Sequence, residues 1–556
     1  MTNSRSSSAR LALILVFVTG SLFIAGLLLP PLPLFITDNG NKYIIMRDFA
    51  ETGTFVIEHL EPALFPRGGF HFQSLENGNI YSFHSWVLPV ISSFFYKFAG
   101  ENAALLPVWL AGLGMLLLLC HDRKSRFAAW GLLLTTPIWL YSQMLWEMVP
   151  SAFAVLAAFV LLKKRHIYAA GFILGLGIWF REELYILSAV IGLLMLVSRR
   201  WKDVLCLALG GITAVLPLWL CNYFIYGHIL GLHGATYALN NRTGFSVAGE
   251  IQGLFFNYYQ HLLRFETLSD NRSLFLSLIG TAALLVPGWV KSVRIKLAGL
   301  GIFTIIDAVF IWNLFKSPTP LFTCGISMSL FFSLPLAAGF FINLRQLWND
   351  KKQYIRFMTR AVTIFIFAVP PLLTRFDIGL TFGARHYICI MPLLMLLSFR
   401  GFALMQCPIR WKQFFLIALT VTGIALQIWG FHVLHTTANH SADLEQRLAD
   451  LPEKVVVTDI FYLPEQAPRL FFDKTFFEVI TEKQTGILLE FLNKHQITEF
   501  ILLLSADNNF RRMENKTLGR ILTAYPVTEA PVAVNAAPGM PLFIARCRKA
   551  VSPAGK

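Results

Sequence analysis

Charged residues are scarce in this sequence. They make up 14% of its 556 residues, whereas 55% are hydrophobic, and the mean hydropathy is +0.58. Soluble globular proteins carry about 25% charged residues, so the composition predicts a membrane protein. Acidic side chains are the rarer kind, with 32 Asp and Glu against 47 Lys and Arg. Because the basic residues lie in short clusters between apolar runs, the excess argues against a nucleic-acid partner.

The sequence also lacks paired cysteines. Its seven cysteines are scattered, without a CxxC pair or a Cys/His cluster, so we expect neither a zinc site nor a disulfide framework. No internal repeat and no low-complexity segment is visible in the sequence. Transporters are often built from repeated halves, so a transporter or lipid flippase is an alternative that the sequence does not favour.

Long apolar runs fill most of residues 1–433. A spanning helix needs about 20 mostly apolar residues. The first run follows two arginines as a signal peptide would, but it exceeds the ~7–15 residues of a signal core and no small-residue cleavage site follows it. We therefore interpret it as an uncleaved helix. One kinked helix could replace the two candidates between 167 and 198. The candidate spans, about thirteen in all, are 11–34, 103–120, 127–145, 148–162, 167–180, 184–198, 203–224, 273–290, 297–315, 320–343, 361–375, 386–399 and 413–433.

The basic clusters predict the orientation of these spans. They fall in every second loop, which marks those loops as cytoplasmic. The N-terminus is then inside and the C-terminus outside, as in a multi-pass protein of the plasma membrane, that is, a bacterial inner membrane. The clusters are Arg123/Lys124/Arg126, Lys163/Lys164/Arg165, Arg199/Arg200/Lys202, Lys291/Arg294/Lys296, Lys351/Lys352/Arg356/Arg360 and Arg400/Arg410/Lys412.

The predicted fold is mainly α, a polytopic bundle followed by a small C-terminal α/β domain. Residues 1–433 form the membrane body, and its first external loop, 35–102, contains an interfacial helix at 85–100. Residues 434–556 form an external, periplasmic domain. Two β-rich runs at 454–464 and 499–507 flank a helical pattern, which predicts strand, helix and parallel strand.

Polar residues collect at the external ends of the predicted spans. Asp38 follows the first span, in Asp-Asn-Gly, which turn chemistry alone would also explain. Singly, such residues are more often solvated loop charges or snorkelling side chains. Together, acids and cations at one depth suit an anionic lipid head group with a reaction centre beside it. The candidates are Asp38, Lys42, Glu147, Arg181, Glu182, Glu183, Lys316, Arg375, Arg385, His386 and Tyr387.

Five segments follow one another along the chain: TDNGNKYIIMRDFAETGTF, NIYSFHSWVLPVISSFFYKFAG, TTPIWLYSQMLWEMVPSAF, AGFILGLGIWFREELYIL and FGARHYICIMPLLMLL. They resemble, in the same order, the motifs of the GT-C superfamily of membrane glycosyltransferases. The first resembles the segment after helix one, where an acidic residue is expected, and the last resembles a Gly-x-Arg-Tyr-like motif. The branches that this sequence is most similar to are the lipid A aminoarabinose, protein O-mannosyl and galacturonosyl transferases.

The resemblance implies a glycosyl transfer, hexosyl or pentosyl, from a polyprenyl-phosphate sugar to a glycolipid, glycan or protein. It implies that Asp38 is the base and Glu147 a second acidic group. It further implies that the donor phosphate binds Arg385, with His386 and Tyr387 beside it and Lys42 and Arg181 as weaker ligands; Glu182 and Lys316 are further candidates. The superfamily usually has a second acid where this sequence has Asn39, so we expect no metal, and no cofactor beyond the lipid-linked sugar.

Two further readings stay open alongside that of a transporter. An envelope oligosaccharide ligase or polymerase also has many spans and external Arg/His loops, but it needs no acid after helix one. A non-catalytic member of the same fold would bind a lipid-linked sugar without turning it over.

Overall fold

The computed structural model describes most of the chain. The described residues are 4–23, 37–57, 72–74, 79–82, 84–121, 125–232, 258, 262, 271–316, 329–372, 384–460, 463–506, 513–537 and 540–550. Parts of three predicted spans, residues 24–34, 320–328 and 373–375, lie outside them, as does most of the loop 225–272.

Helices dominate the described residues. The longer ones are α1 Ser4–Phe23, α2 Thr37–Thr52, α3 Val87–Ala99, α4 Leu106–Cys120, α5 Arg126–Thr135, α6 Met148–Lys163, α7 Ile167–Ile178, α8 Glu183–Val197, α9 Trp201–Tyr226, α10 Asn271–Trp289, α11 Val293–Lys316, α12 Gln353–Ala368, α13 Met391–Leu404, α14 Ile409–Ala449, α15 Glu482–Lys494 and α16 Asn515–Ala524.

The bundle is apolar outside as well as inside. Among the described residues, five helical segments are long and apolar enough to cross a membrane. On α9 the outward side chains are hydrophobic, with Leu209 59% and Phe224 80% exposed. Such a surface is stable only against lipid, so the chain is a multi-pass membrane protein. The five segments are Glu101–Cys120, Trp201–Tyr226, Val293–Lys316, Arg385–Leu404 and Ile409–Ala449.

Prolines interrupt two of the predicted spans. The span predicted at 127–145 ends as a helix at Thr135, since Thr136 is extended (φ −125°, ψ 155°) before Pro137. A residue before proline is driven out of the helical region, so a one-turn helix, Ile138–Tyr141, and a turn follow instead. The break brings the chain to Glu147 at the start of α6. In the span predicted at 320–343, Pro335 similarly separates one-turn helices.

The last spanning helix extends well beyond its predicted end. α14 has 41 residues and passes without a break through position 433. At about 1.5 Å per residue it is about 60 Å long, twice the ~30 Å hydrocarbon core. Its final turns place Leu444 and Leu448 in the core of the C-terminal domain. This helix therefore joins the bundle and the domain rigidly.

The C-terminal domain is built on a five-stranded sheet of β3 Val455–Thr458, β4 Thr475–Glu478, β5 Glu499–Ser505, β6 Val532–Ala537 and β7 Met540–Arg548. The order of the strands in the sheet is β4-β3-β5-β7-β6. β3 pairs in parallel with β4 and β5, and β7 pairs antiparallel with β5 and β6. The predicted α/β domain is present, and β3, α15 and β5 match its predicted strand, helix and strand; the sequence reading missed β4, β6 and β7.

The first loop contributes two helices and a hairpin of β1 Phe72–Ser74 and β2 Ile80–Ser82. α3 falls where the sequence predicted an interfacial helix, and it buries Val87 and Leu88 and exposes Phe94 (61%) and Phe98 (75%). α2 was not predicted, because Asp-Asn-Gly suggested a turn. It forms since tertiary packing encloses it: Tyr43 lies in the core of the bundle, whereas Ile44 lies in the core of the C-terminal domain.

Candidate active site

Asp38 lies in the first turn of α2. A carboxylate is favourable there because the helix dipole is positive at its N-terminus. Lys42 follows four residues later, on the same face of the helix. The Asp-Asn-Gly segment is thus part of a helix that presents an acid and a base in one direction.

Two nitrogen-bearing side chains approach the Asp38 carboxylate. Arg385 Nη1 lies 4.0 Å from Oδ2, and His84 Nε2 lies 3.7 Å from Oδ1. The exposed fractions of the side chains are 17% for Asp38, 14% for Arg385 and 21% for His84. The carboxylate therefore lies between these two side chains and is still accessible to a small group. Sequence reasoning quoted His84 but gave it no role.

Arg385 belongs to a second group of charges. Arg385 Nε donates to His386 Nε2 at 3.2 Å, and His386 Nδ1 contacts the carboxylate of Glu183. The same carboxylate binds Arg181, with Nε 3.0 Å from Oε2. Arg385 and His386 come from the short helix Arg385–Ile390 that precedes α13, and Glu183 begins α8. One guanidinium group and an imidazole thus contact a single carboxylate, and the guanidinium of Arg385 is linked to it through the imidazole.

Glu183, which sequence reasoning grouped with Arg181 and Glu182 but gave no role, holds this group together. The described ion pairs of the cluster contain Glu183 with Arg181 and with His386. α7 ends at Ile178 and α8 begins at Glu183, so the turn between them brings Arg181 and Glu183 to the same side. Two adjacent acids look alike in a sequence, and only the geometry of this turn separates them.

Lys42 and Glu147 form an ion pair beneath Asp38. Their Nζ and Oε2 atoms are 2.7 Å apart, and the side chains are 2% and 3% exposed. Burial lowers the pKa of Lys42, and the attraction of Glu147 and Asp38 opposes this shift only in part. Asn39 fixes the same region, because its Oδ1 accepts from the Leu145 N–H at 2.6 Å. Lys42 and Glu147, which were both predicted as site residues, are therefore paired with each other.

The other predicted site residues lie in different surroundings. The Tyr387 hydroxyl is buried and donates to the carbonyl of Ile366 at 3.0 Å. Lys316 ends α11, and its Nζ lies 4.8 Å from the centre of the Trp312 ring. Neither contact belongs to the cluster. Within the described ranges, no group of three or more His, Cys, Asp or Glu side chains could hold a metal ion.

These features define the class of fold. Charged side chains at helix termini meet at one end of an apolar bundle, beside an amphipathic surface helix and an α/β domain. The fold is of the GT-C type, as the sequence motifs predicted.

The comparisons with solved structures give the particular neighbours. The chain is similar to ArnT from Cupriavidus metallidurans bound to undecaprenyl phosphate, with 12% identity, a TM-score of 0.50 and coverage of 98% of this chain and 99% of that one. The apo state of the same protein gives 13% identity, a TM-score of 0.45 and coverage of 96% and 97%. An apo oligosaccharyltransferase from Archaeoglobus fulgidus gives 12% identity, a TM-score of 0.47 and coverage of 88% and 69%. No family model and no curated protein sequence matches the chain.

Proposed function

We propose that this protein transfers a sugar from a polyprenyl-phosphate donor to an acceptor on the external face of a bacterial inner membrane. The observation that carries the proposal is the Asp38 carboxylate held 4.0 Å from the Arg385 guanidinium, each partly exposed. An acid that can accept a proton and a cation that can bind phosphate are the two groups that this reaction requires. The similarity to a protein crystallised with undecaprenyl phosphate supports the choice of donor.

In this proposal the acceptor hydroxyl attacks the anomeric carbon of the sugar. Its proton passes to the Asp38 carboxylate, which acts as general base. The bond between the anomeric carbon and the phosphate oxygen breaks, and its electron pair leaves on polyprenyl phosphate. Arg385 and Arg181 stabilise the negative charge that develops on that oxygen, while His386, held by Glu183, supports Arg385 through the hydrogen bond to its Nε.

Asp38 is a better candidate for the base than Glu147. The Glu147 side chain is 3% exposed and already paired with Lys42, whereas Asp38 is 17% exposed. We therefore propose that Lys42 and Glu147 support α2 and do not contact the donor or the acceptor. They also support the cation cluster, which consists of Arg181, Arg385 and His386. No metal has a role in the proposed step.

Transfer by the purified protein in lipid vesicles tests the proposal. The donors are undecaprenyl-phosphate-linked aminoarabinose, mannose and galacturonic acid, and the acceptor is an extract of envelope glycolipids and glycans. Asp38→Asn is expected to lower kcat about 10²–10⁴-fold, the usual contribution of a general base, with donor binding retained. Arg385→Ala is expected to weaken donor binding without affecting membrane insertion.

Two results would contradict this reading. Full activity in Asp38→Asn would favour a ligase or polymerase, and movement of the lipid without transfer would favour a flippase. The proposed face has its own test: single cysteines at 38 and at 385 should both react with an impermeant maleimide added outside intact cells. Labelling of the two positions from opposite faces would contradict the proposed site.

A further inference from the structure

α2 is fixed to the transmembrane bundle on one side. Asn39 accepts the Leu145 N–H at 2.6 Å, and Lys42 pairs with Glu147 at 2.7 Å. These contacts lie within one turn of Asp38. They hold one side of α2 against the bundle, whereas the residues on its other side contact a different part of the protein.

The C-terminal domain supplies those partners. A Cβ atom at Gly40 would overlap the backbone carbonyl of Glu465, so the helix and the segment after β3 touch backbone to backbone. Next to it, Asn41 Nδ2 donates to Glu465 Oε1 at 3.4 Å, and Asn41 Oδ1 accepts from the Ser82 hydroxyl. Only glycine permits so close an approach, and the contact lies two residues from Asp38.

A second link runs through Arg469. Its guanidinium binds both oxygens of Glu101, at 3.1 Å from Nε and 2.6 Å from Nη2. Glu101 Oε1 also accepts from the Tyr43 hydroxyl at 2.6 Å. Arg469 is held in turn by Glu445 of α14, whose carboxylate accepts the Arg469 backbone N–H at 3.0 Å. Two-pronged arginine–carboxylate pairs fix orientation as well as distance, so this chain of bonds ties α2 to the end of the long helix.

The hydrophobic contacts divide in the same way. Tyr43 and Met46 pack in the core of the bundle, and Ile44 packs with Leu463 and Phe471 in the core of the C-terminal domain. Arg47, one turn further, stacks its guanidinium 4.2 Å from the centre of the Phe472 ring. The helix that carries Asp38 therefore depends on both bodies.

We infer that Arg469 and Glu465 are positioning residues: the C-terminal domain acts through α2 to hold the Asp38 carboxylate in its place beside Arg385. This inference rests on the proposed function. The cations come from the bundle, so loosening the domain displaces the base and leaves the donor site intact. A displacement of about 1 Å can cost about 10²-fold in rate. The expected effect is therefore on kcat and not on donor binding.

Arg469→Ala tests the inference, with Arg520→Ala as the control. Arg520 is an exposed arginine of α16 in the same domain. In the vesicle assay, with the donor that the wild type uses, Arg469→Ala should lower kcat at least about tenfold and leave the KM for donor within about twofold. The affinity for undecaprenyl phosphate itself should be equally unchanged. Arg520→Ala should behave as the wild type.

Hydrogen exchange on the full chain separates a positioning effect from unfolding. In Arg469→Ala, amides of residues 39–47 should exchange faster, while those of α15 keep their protection. Arg469→Lys is the milder variant, because an ammonium still reaches Glu101 but cannot form the two-pronged pair; its kcat should fall between the wild type and Arg469→Ala. Combining Arg469→Ala with Glu101→Gln should add little further loss, since both break one linkage.

Unchanged kcat in both Arg469 variants, or a loss confined to KM, would overturn the inference. So would additive losses in the double variant. Failure of the proposed function looks different: the wild type would then transfer no sugar, or Asp38→Asn would be as active as the wild type. An active wild type, an inactive Asp38→Asn and a fully active Arg469→Ala would reject the positioning role alone.

Discussion

At the scale of single residues, two carboxylates flank Lys42 and differ in what surrounds them. Asp38 is partly exposed between Arg385 and His84, whereas Glu147 is buried against the ammonium. Glu147 Oε1 has no hydrogen-bond partner among the described residues, so the pair with Lys42 is what compensates its burial. The sequence indicated both acids as candidates. It could not indicate which of them would pair with Lys42, because the pairing depends on the turn after Pro137.

The buried pair predicts a stability effect. Glu147→Gln should destabilise the protein by about 3–5 kcal/mol, because it leaves the Lys42 ammonium buried without its partner. The double variant Lys42→Met/Glu147→Gln should recover part of that loss, since no charge then remains unpaired. Thermal unfolding of the purified protein in detergent measures both. A double variant less stable than Glu147→Gln would show that the pair is not the cause.

A matched pair of acids allows a sharper test of the cation cluster. Glu183→Gln should raise the KM for donor about tenfold, because Arg181 and His386 lose the carboxylate that orients them. Glu182→Gln, one residue earlier, should have no such effect. Initial rates over a range of donor concentrations compare the two. Equal effects would mean that the local net charge matters and not the geometry of Glu183.

At the scale of elements, the sequence predicted the apolar helices of the bundle but not the polar helix α2. A spanning helix needs only a long apolar stretch, so most bundle helices overlap the predicted spans. The exceptions are the spans predicted at 127–145 and 320–343, which prolines interrupt. α2 has no single apolar face, because Ile44 is buried in one core and Tyr43 and Met46 in another. A helix enclosed from two sides shows no regular pattern, and its burial depends on segments hundreds of residues away. Sequence periodicity could not predict it.

α3 shows the opposite case, a helix with one buried and one exposed face. Its exposed face is expected to lie in the bilayer interface. A nitroxide on a cysteine at Phe98 should be more accessible to oxygen than to a water-soluble nickel chelate. A nitroxide at Glu51, an exposed residue of α2, should show the reverse. Higher accessibility to nickel at position 98 would place this face in water.

At the scale of the whole molecule, the bundle and the C-terminal domain share the helix α14 and enclose the helix α2 between them. The sequence indicated a domain after residue 433, because the composition changes there. It could not indicate that α14 continues through that position to Ala449, since the polar second half of the helix resembles a linker. Some residues of the candidate site, such as Asp38 and Arg385, were therefore predictable from the sequence. The roles of His84 and Glu183 and the dependence of the site on the domain were not.

This shared construction predicts the result of a truncation. A chain ending at residue 433 should still insert into the membrane, because the spanning helices are retained. Its α2 should lose the contacts of Ile44 and Arg47 and become a substrate for trypsin, which cleaves after lysine and arginine. Limited proteolysis in vesicles, followed by mass spectrometry, would locate the cuts. Resistance of residues 37–57 in the truncated chain would contradict the enclosure of α2 by both bodies.

The contact between Asn41 and Glu465 joins positions 424 residues apart in the chain. After a ribosome has added Asn41, it adds the partner residue only 424 residues later. At about 5–20 residues per second, the interval is at least tens of seconds. During that time the first loop has no complete enclosure, and the growing protein cannot yet hold Asp38 in its final place. If the positioning role holds, an unfinished or prematurely terminated copy inserted in the membrane would transfer sugar more slowly than the finished protein, so translation itself would set the moment at which the full rate is reached.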